Sequence, residues 1–218
     1  MKLRILITAG PTREFIDPVR FISNSSTGFF GYQIALEAVR RGHEVALISG
    51  PTHLMPPRGA RFIPVTSALE MKRAVEKFFP KCDCLIMSAA VSDYRPIRIY
   101  PRKIKKDRSR LTLKLKRNPD ILSMVAKKKK DRVIIGFALE SDDLEDNVRR
   151  KLETKNMDCI IAASINKRKS PFGDRKVRVL IIPRIGKAEA VFASKKTLSR
   201  IILDKATATK YAYNGSKI

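Results

Sequence analysis

The 218-residue sequence contains no tryptophan, two histidines (His43 and His53) and three cysteines, and aromatic residues make up 7% of it. Each scarcity excludes something. Cys82, Cys84 and Cys159 are an odd set that builds no disulfide framework, which fits a reducing cytoplasm. Cys82-x-Cys84 has no second cysteine pair nearby and too few histidines to complete a zinc site. Both lie in or beside the apolar run DCLIMSAAV and read as buried strand residues. No apolar run approaches the roughly 18 residues of a membrane span, so no membrane partner is expected. Met1-Lys2-Leu3-Arg4 before Ile5-Leu6-Ile7 superficially resembles a signal start, but its apolar core ends at Gly10-Pro11 and reads as a first strand. Acid is scarce as well: 46 Lys+Arg stand against 21 Asp+Glu, a formal net charge of +25. Such a surplus draws polyanions and leaves RNA, anionic membrane surfaces and phosphorylated small molecules open as partners. The few aromatics are not interleaved with the basic runs, which disfavours nucleic-acid recognition by stacking.

What is present, 44% hydrophobic and 31% charged residues, suits a soluble globular chain with a substantial core. Strand and helix patterns alternate along it. Leu3–Thr8, Glu44–Ser49, Arg61–Val65, Asp83–Val91, Arg132–Phe137 and Asp158–Ala163 read as strands. Phe29–Arg41 has helical spacing, and the capping box Ser67-Ala68-Leu69-Glu70 opens a helix to about Phe79. Asn118-Pro119 reads as the N-cap and first residue of a helix running toward Lys127–Lys130. Asp142–Lys155 and Lys195–Tyr213 read as helices, and Val177–Pro183 and Glu189–Ala193, joined through Gly186, as a hairpin. The pattern breaks between Arg98 and Arg117, where ten Lys/Arg accompany one acid, Asp107. Its second half, Leu111–Lys116, alternates like a half-buried strand. The fold expected is α/β and Rossmann-like: a mostly parallel sheet with helices on both faces and a C-terminal antiparallel hairpin. We expect a single domain, 1–218, with a basic insertion around 96–117.

In such a sheet, ligands sit at the carboxyl ends of the strands. The first loop there, from Thr8 to Gly31, is far longer than the usual connection of about 2–6 residues. Asp17-Pro18 and Gly10-Pro11 stiffen it, Arg20 gives it a permanent charge, and Ser25-Ser26-Thr27-Gly28 offers free amides at a helix start. Gly28 and Gly31 allow helix and strand to approach closely. The loop is not GxGxxG, and Ser49-Gly50-Pro51 follows the second strand where an acid would hold a ribose, which disfavours NAD or FAD.

Five separated blocks carry a family resemblance. They are Asp17-Pro18-Val19-Arg20-Phe21-Ile22-Ser23-Asn24, Ala89-Ala90-Val91-Ser92-Asp93-Tyr94-Arg95, Lys103-Ile104-Lys105-Lys106, Asn118-Pro119-Asp120-Ile121 and Gly136-Phe137-Ala138. In order and spacing the chain resembles the phosphopantothenoylcysteine synthetases of coenzyme A biosynthesis, of the bacterial type and without the flavin-dependent decarboxylase domain. The resemblance implies a CTP-dependent ligase that uses Mg²⁺ and joins 4′-phosphopantothenate to L-cysteine through an acyl-cytidylate. It implies that Asn24 holds this intermediate, that Arg20 and Ala90 lie at the substrate, and that Lys103 rides a flap closing over the phosphates. Ala89, Ala90, Asp93, Asn118, Pro119, Asp120, Ile121, Phe137, Lys151 and Lys155 match positions around the nucleotide. The identity of any metal ligand is left open. The resemblance further implies a cytoplasmic homodimer and allows a separate phosphopantothenoylcysteine decarboxylase as partner. The chain departs from the family pattern at Thr27, at Leu139 and at Ala163-Ser164, where an Asn-Asp pair is usual. A nucleic-acid-binding protein on the same scaffold is the alternative.

Overall fold

The structure is a computed structural model that describes residues 2–105, 109–140, 144–164 and 172–215. The first half runs β1 (Arg4–Ala9), β2 (Arg13–Phe15), β3 (Phe21–Ser23), α1 (Phe29–Arg40), β4 (Glu44–Ser49), β5 (Arg61–Pro64) and α2 (Ala68–Phe78). It continues through a 3-10 turn (Phe79–Lys81) to β6 (Cys84–Met87), β7 (Tyr94–Pro96) and β8 (Leu115–Arg117). The second half adds α3 (Ile121–Ala126), β9 (Val133–Glu140), α4 (Leu144–Thr154) and β10 (Cys159–Ser164). It closes with β11 (Val177–Pro183), β12 (Glu189–Ala193) and α5 (Lys195–Gly215).

Eight strands form one sheet in the order β12-β11-β10-β9-β6-β1-β4-β5. Pairing is parallel from β5 to β10, and β11 and β12 add antiparallel to that edge. Successive side chains of the inner strands β1, β4, β6, β9 and β10 enter two different cores, which is why these strands read as uninterrupted apolar runs. Ile5 and Ile7 of β1, with Ile86 and Ile135, face α1 and α5. Leu6, Leu85 and Ile134 face α2, α3 and α4 on the other side. These side chains are essentially inaccessible, and truncating one such Ile or Leu to Ala costs about 2–5 kcal/mol. The expected α/β architecture, with helices on both faces and a terminal antiparallel pair, is the one observed. No helix among the described residues is long and apolar enough to cross a membrane.

Ionic ties hold the layers. Glu37 of α1 is buried and accepts from Arg40 Nε (2.9 Å) and Arg41 Nε (2.9 Å). Arg41 Nη1 reaches Asp204 of α5 at 2.6 Å. At the amino ends of the strands, Lys129 Nζ donates to Asp158 Oδ1 at 2.6 Å and the Tyr213 hydroxyl donates to the same oxygen. Asp158 Oδ2 accepts the Ile134 amide at 2.7 Å, so this buried carboxylate is fully partnered.

Four expectations need correction. The Asp83–Val91 strand ends at Met87, because beyond it the chain bends toward the opening loop: Ser88 N bonds to Thr8 O and Ala90 N to Gly10 O. The alternating Leu111–Lys116 stretch becomes a strand only at Leu115–Arg117, where Tyr94–Pro96 offers a partner. Asn118 is not a helix cap. Asp120 is, its carboxylate accepting from Ser123 N, and the helix stops at Ala126 before the lysines. The opening loop is not irregular throughout, for Arg13–Phe15 and Phe21–Ser23 pair antiparallel within it. Lys106, the start of the expected Asp142 helix and part of the stretch between Ser164 and Val177 lie outside the described residues.

Candidate active site

The strand order reverses at β1, whose neighbours β4 and β6 lead to opposite edges of the sheet, and a crevice opens beyond their carboxyl ends. α1 begins at this crevice. Gly28 precedes it with φ 77°, a left-handed conformation, and provides no side-chain cap. At Gly31 a Cβ would stand 2.6 Å from the Ala9 Cβ, so the absence of a side chain lets α1 lie directly on β1. The hydroxyls of the turn meet the helix start: Gly28 N donates to Ser26 Oγ (3.2 Å) and Phe29 N, the first amide of α1, to Thr27 Oγ1 (3.4 Å).

Asn24 sits at the centre. Its carboxamide nitrogen donates to Ala90 O (3.1 Å) and Val91 O (3.3 Å), joining the opening loop to the segment after β6. Ala89 N donates to the Thr8 hydroxyl (3.2 Å), and Thr12 N to Ala90 O (3.3 Å). Ala89 and Ala90 are thus fixed through their backbones, and their methyl groups leave the space above them free.

Two recesses meet here. The larger, about 550 Å³, runs from Asn24 and the Ser25–Gly28 turn past Phe137 to Lys195. The smaller, about 490 Å³, is bounded by Asp93 and the Asn118–Ile121 turn. Ala89, Asp93, Phe137 and Lys155 line both. Phe137 is held by an edge-to-face contact with Phe30, centroids 5.0 Å apart. The Asn118 side chain is a brace: Nδ2 donates to Ser92 O (2.8 Å), while Oδ1 accepts from Arg95 Nη1 (2.7 Å). Lys155 Nζ lies 2.9 Å from Asp120 Oδ2. Burial alone would raise the Asp120 carboxyl, but the Ser123 amide and Lys155 outweigh it and hold it below its ordinary range.

The structure gathers Asn24, Ala89, Ala90, Asp93, Phe137, Lys151 and Lys155 around one recess, with Asn118, Pro119, Asp120 and Ile121 around the other. Arg20 and Lys103 line neither. Arg20 Nη1 contacts Asp17 Oδ2 at 3.0 Å and Nη2 donates to Ile104 O at 3.2 Å, while Lys103 is exposed on the basic insertion. Asp17 is buried, which would raise its carboxyl, yet the amides of Val19, Ile104 and Arg20 and the Arg20 charge lower it overall. At the departures from the family pattern, Thr27 and Leu139 line the larger recess with Ala163, and Ser164 is exposed.

Lys195 is the residue that sequence reasoning missed. It begins α5, is buried, lines the larger recess and lies 6.0 Å from the centre of the Phe29 ring. Burial pulls its ammonium below the ordinary lysine range, with Asp174 opposing the shift. A lysine at a helix start after Ser194 reads as surface charge, and no sequence signal marks it.

Residues 1–209 match the family described as DNA/pantothenate metabolism flavoprotein C-terminal domain. The coenzyme A biosynthesis bifunctional protein CoaBC of Bacillus subtilis (strain 168) is 43% identical over 206 residues, covering 94% of this chain and 51% of that protein. The chain therefore spans about half the length of this curated relative. A crystal structure of the C-terminal domain of a CoaBC protein superimposes with a TM-score of 0.79 at 38% identity, covering 93% of this chain and 92% of that one. The DNA/pantothenate metabolism flavoprotein from Streptococcus pneumoniae gives a TM-score of 0.82 at 27% identity, covering 94% and 99%. The chain belongs to the DNA/pantothenate metabolism flavoprotein C-terminal domain family.

Proposed function

We propose that this protein is a ligase of coenzyme A biosynthesis that uses CTP to join 4′-phosphopantothenate to L-cysteine. The observation that carries the reading is the Asn24 carboxamide, anchored on Ala90 O and Val91 O where the two recesses meet. In the first step a phosphopantothenate carboxylate oxygen attacks the α-phosphorus of CTP. A P–O bond forms, the bond to the bridging β-phosphate oxygen breaks, and pyrophosphate leaves. In the second step the cysteine amine attacks the acyl carbon, a C–N bond replaces the C–O bond to CMP, and the amine loses a proton. Both steps bring anions together, so fixed dipoles and cations must lower the barrier. The amino end of α1, Lys151, Lys155 and the Lys103 of the insertion supply them. Because Asn24 Nδ2 is spent on two carbonyls, its Oδ1 is oriented to accept from the incoming amine.

The nucleotide occupies the recess at Asp93 and the Asn118–Ile121 turn, beside Phe137. Among the described residues no three His, Cys, Asp or Glu side chains converge on one point. That fits Mg²⁺ arriving with a triphosphate, since this ion is usually held by one or two carboxylates together with phosphate oxygens and water. Asp93 would hold it, because Asp120 is engaged by Lys155. When bound, the ion neutralises phosphate charge. Release of pyrophosphate and CMP, measured with and without phosphopantothenate and cysteine, tests the reading; no release with all substrates present overturns it.

The protein acts in the cytoplasm as a homodimer. Ile97, Ile99 and Leu115 leave an exposed apolar strip on the basic insertion, which a second copy would cover. A monomeric mass by sedimentation, with full activity, rejects this. A phosphopantothenoylcysteine decarboxylase is the partner that would take the product.

A further inference from the structure

Asp17 is a carboxylate with no exposed surface, and four donors fill its two oxygens. Oδ1 accepts the amides of Val19 (2.8 Å) and Arg20 (2.8 Å). Oδ2 accepts Arg20 Nη1 (3.0 Å) and, from far along the chain, the amide of Ile104 (3.1 Å). The same arginine returns to that residue, for Arg20 Nη2 donates to Ile104 O at 3.2 Å. The two members of one ion pair thus take hold of one residue's backbone from opposite sides, the acid binding the N–H and the base the C=O of Ile104. A second tie lies close by, where Tyr100 N donates to Ile16 O at 2.8 Å.

What is held is a segment with little order of its own. Residues 101–105 form neither helix nor strand, and half-buried Ile104 stands between exposed Lys103 and Lys105. In irregular backbone, an amide and a carbonyl fixed by outside partners set the path of the chain. A buried charge makes such a fixing strong, because breaking it strands the partner in a dry site.

We propose that Asp17 is a positioning residue for Lys103: acting with Arg20, it grips Ile104 and so sets where the lysine side chain leaves the basic insertion. The inference rests on the ligase reading for its effect on turnover, but not for the grip itself. It gives Arg20 work that the family resemblance did not imply, since its guanidinium is committed to Asp17 and Ile104. Asp17→Asn is close in size and removes the charge, and in either rotamer it turns an NH₂ group toward donors. The grip on Ile104 loosens while the β2–β3 ribbon keeps its own pairing. Arg20→Lys is a milder second variant: an ammonium can pair with Asp17 but lacks the fork that also reaches Ile104 O.

Two measurements test the proposal. The first is limited trypsin digestion, with cleavage after Lys103 or Lys105 mapped by mass spectrometry. We expect about tenfold faster cleavage there in both variants, with digestion elsewhere unchanged, as local opening becomes easier. The second is a double-mutant cycle on kcat using Asp17→Asn and Lys103→Gln. A displaced reacting group costs up to about a hundredfold, so Asp17→Asn should lose activity on this scale alone and little more when Lys103 is already gone. Unchanged cleavage at Lys103 and Lys105 in both variants overturns the grip. Losses that multiply in the double variant overturn the link to Lys103. If the unsubstituted protein shows no CTP-dependent turnover, the ligase reading falls, and the trypsin result alone then decides the grip. Should Asp17→Asn not fold, Arg20→Lys carries both measurements.

Discussion

Lys155, just after α4, and Asp120 at the start of α3 meet at 2.9 Å, so a lysine that lines both recesses is already paired with the residue that caps the neighbouring helix. A phosphate entering the recess would share or displace that partner. Lys155→Ala should raise the KM for CTP by about tenfold, the scale of one charge-assisted hydrogen bond, with kcat changed less. Initial rates across CTP concentrations at saturating phosphopantothenate and cysteine check it. Asp120→Ala should instead cost about 1 kcal/mol of stability by removing the cap, read from urea unfolding.

Asn24→Asp puts a carboxylate oxygen opposite Ala90 O and Val91 O, two acceptors that now hold an N–H donor. Both bonds are lost, and a negative charge enters beside the proposed intermediate. Turnover should fall by about a hundredfold or more. Pyrophosphate release without cysteine, compared with product formation with it, shows which half-reaction suffers. Normal turnover would falsify the placement of the reaction at this loop.

If the proposed nucleotide site is shaped for a pyrimidine, CTP should be preferred clearly over ATP, because a larger base is then excluded by shape. Competition at matched subsaturating concentrations is the measurement, and equal turnover removes the preference.

Acid stability should depend on Glu37. The hydrogen bond from Arg40, outweighing burial, together with Arg41, brings its carboxyl down to about 2 from an ordinary 4.5. A carboxyl lowered on folding stabilises the native state fully above its unfolded value and progressively loses that contribution as pH falls toward the folded one. The midpoint of thermal unfolding should therefore drop between about pH 4.5 and pH 2, and less steeply in Glu37→Gln. Equal slopes for the two proteins would remove Glu37 from the explanation.

The three thiols should resist alkylation until the protein unfolds. All are buried, and burial pushes Cys82 and Cys159 up to about 12 and Cys84 well above its ordinary value. One thiol reacting rapidly in the native protein with a maleimide would contradict this.

Particular segments explain why the fold was largely legible and the site only partly so. Glu44–Ser49, Val177–Pro183 and Glu189–Ala193 fall where the pattern put them, because each finds a neighbour along its whole length. Leu111–Lys116 alternates equally well but meets a partner only from Leu115, and alternation alone cannot say where a partner ends. Residues 13–15 and 21–23 are too short to show a period, so the ribbon around Asp17 was invisible. Asn118 and Asp120 are both good caps, and the choice between them depended on Ser92 and Arg95, which lie far back in the sequence. Lys195 needed the fold itself, since only tertiary contact buries it.

The buried meeting of Lys129, Asp158 and Tyr213 has a consequence for synthesis on the ribosome. Translation delivers Lys129 and Asp158 before Tyr213, which lies 55 residues beyond Asp158. Until α5 emerges, the side of the sheet carrying Ile5, Ile7 and Ile86 also lacks one of its two covering helices. The nascent chain thus completes most of its parallel pairing with a greasy face still uncovered, in the state most prone to clumping. Arrival of α5 closes that face and seats the tyrosine in one event. A chain cut after β12 would keep all eight strands of the sheet and lose α5, one of the two helices that cover this face.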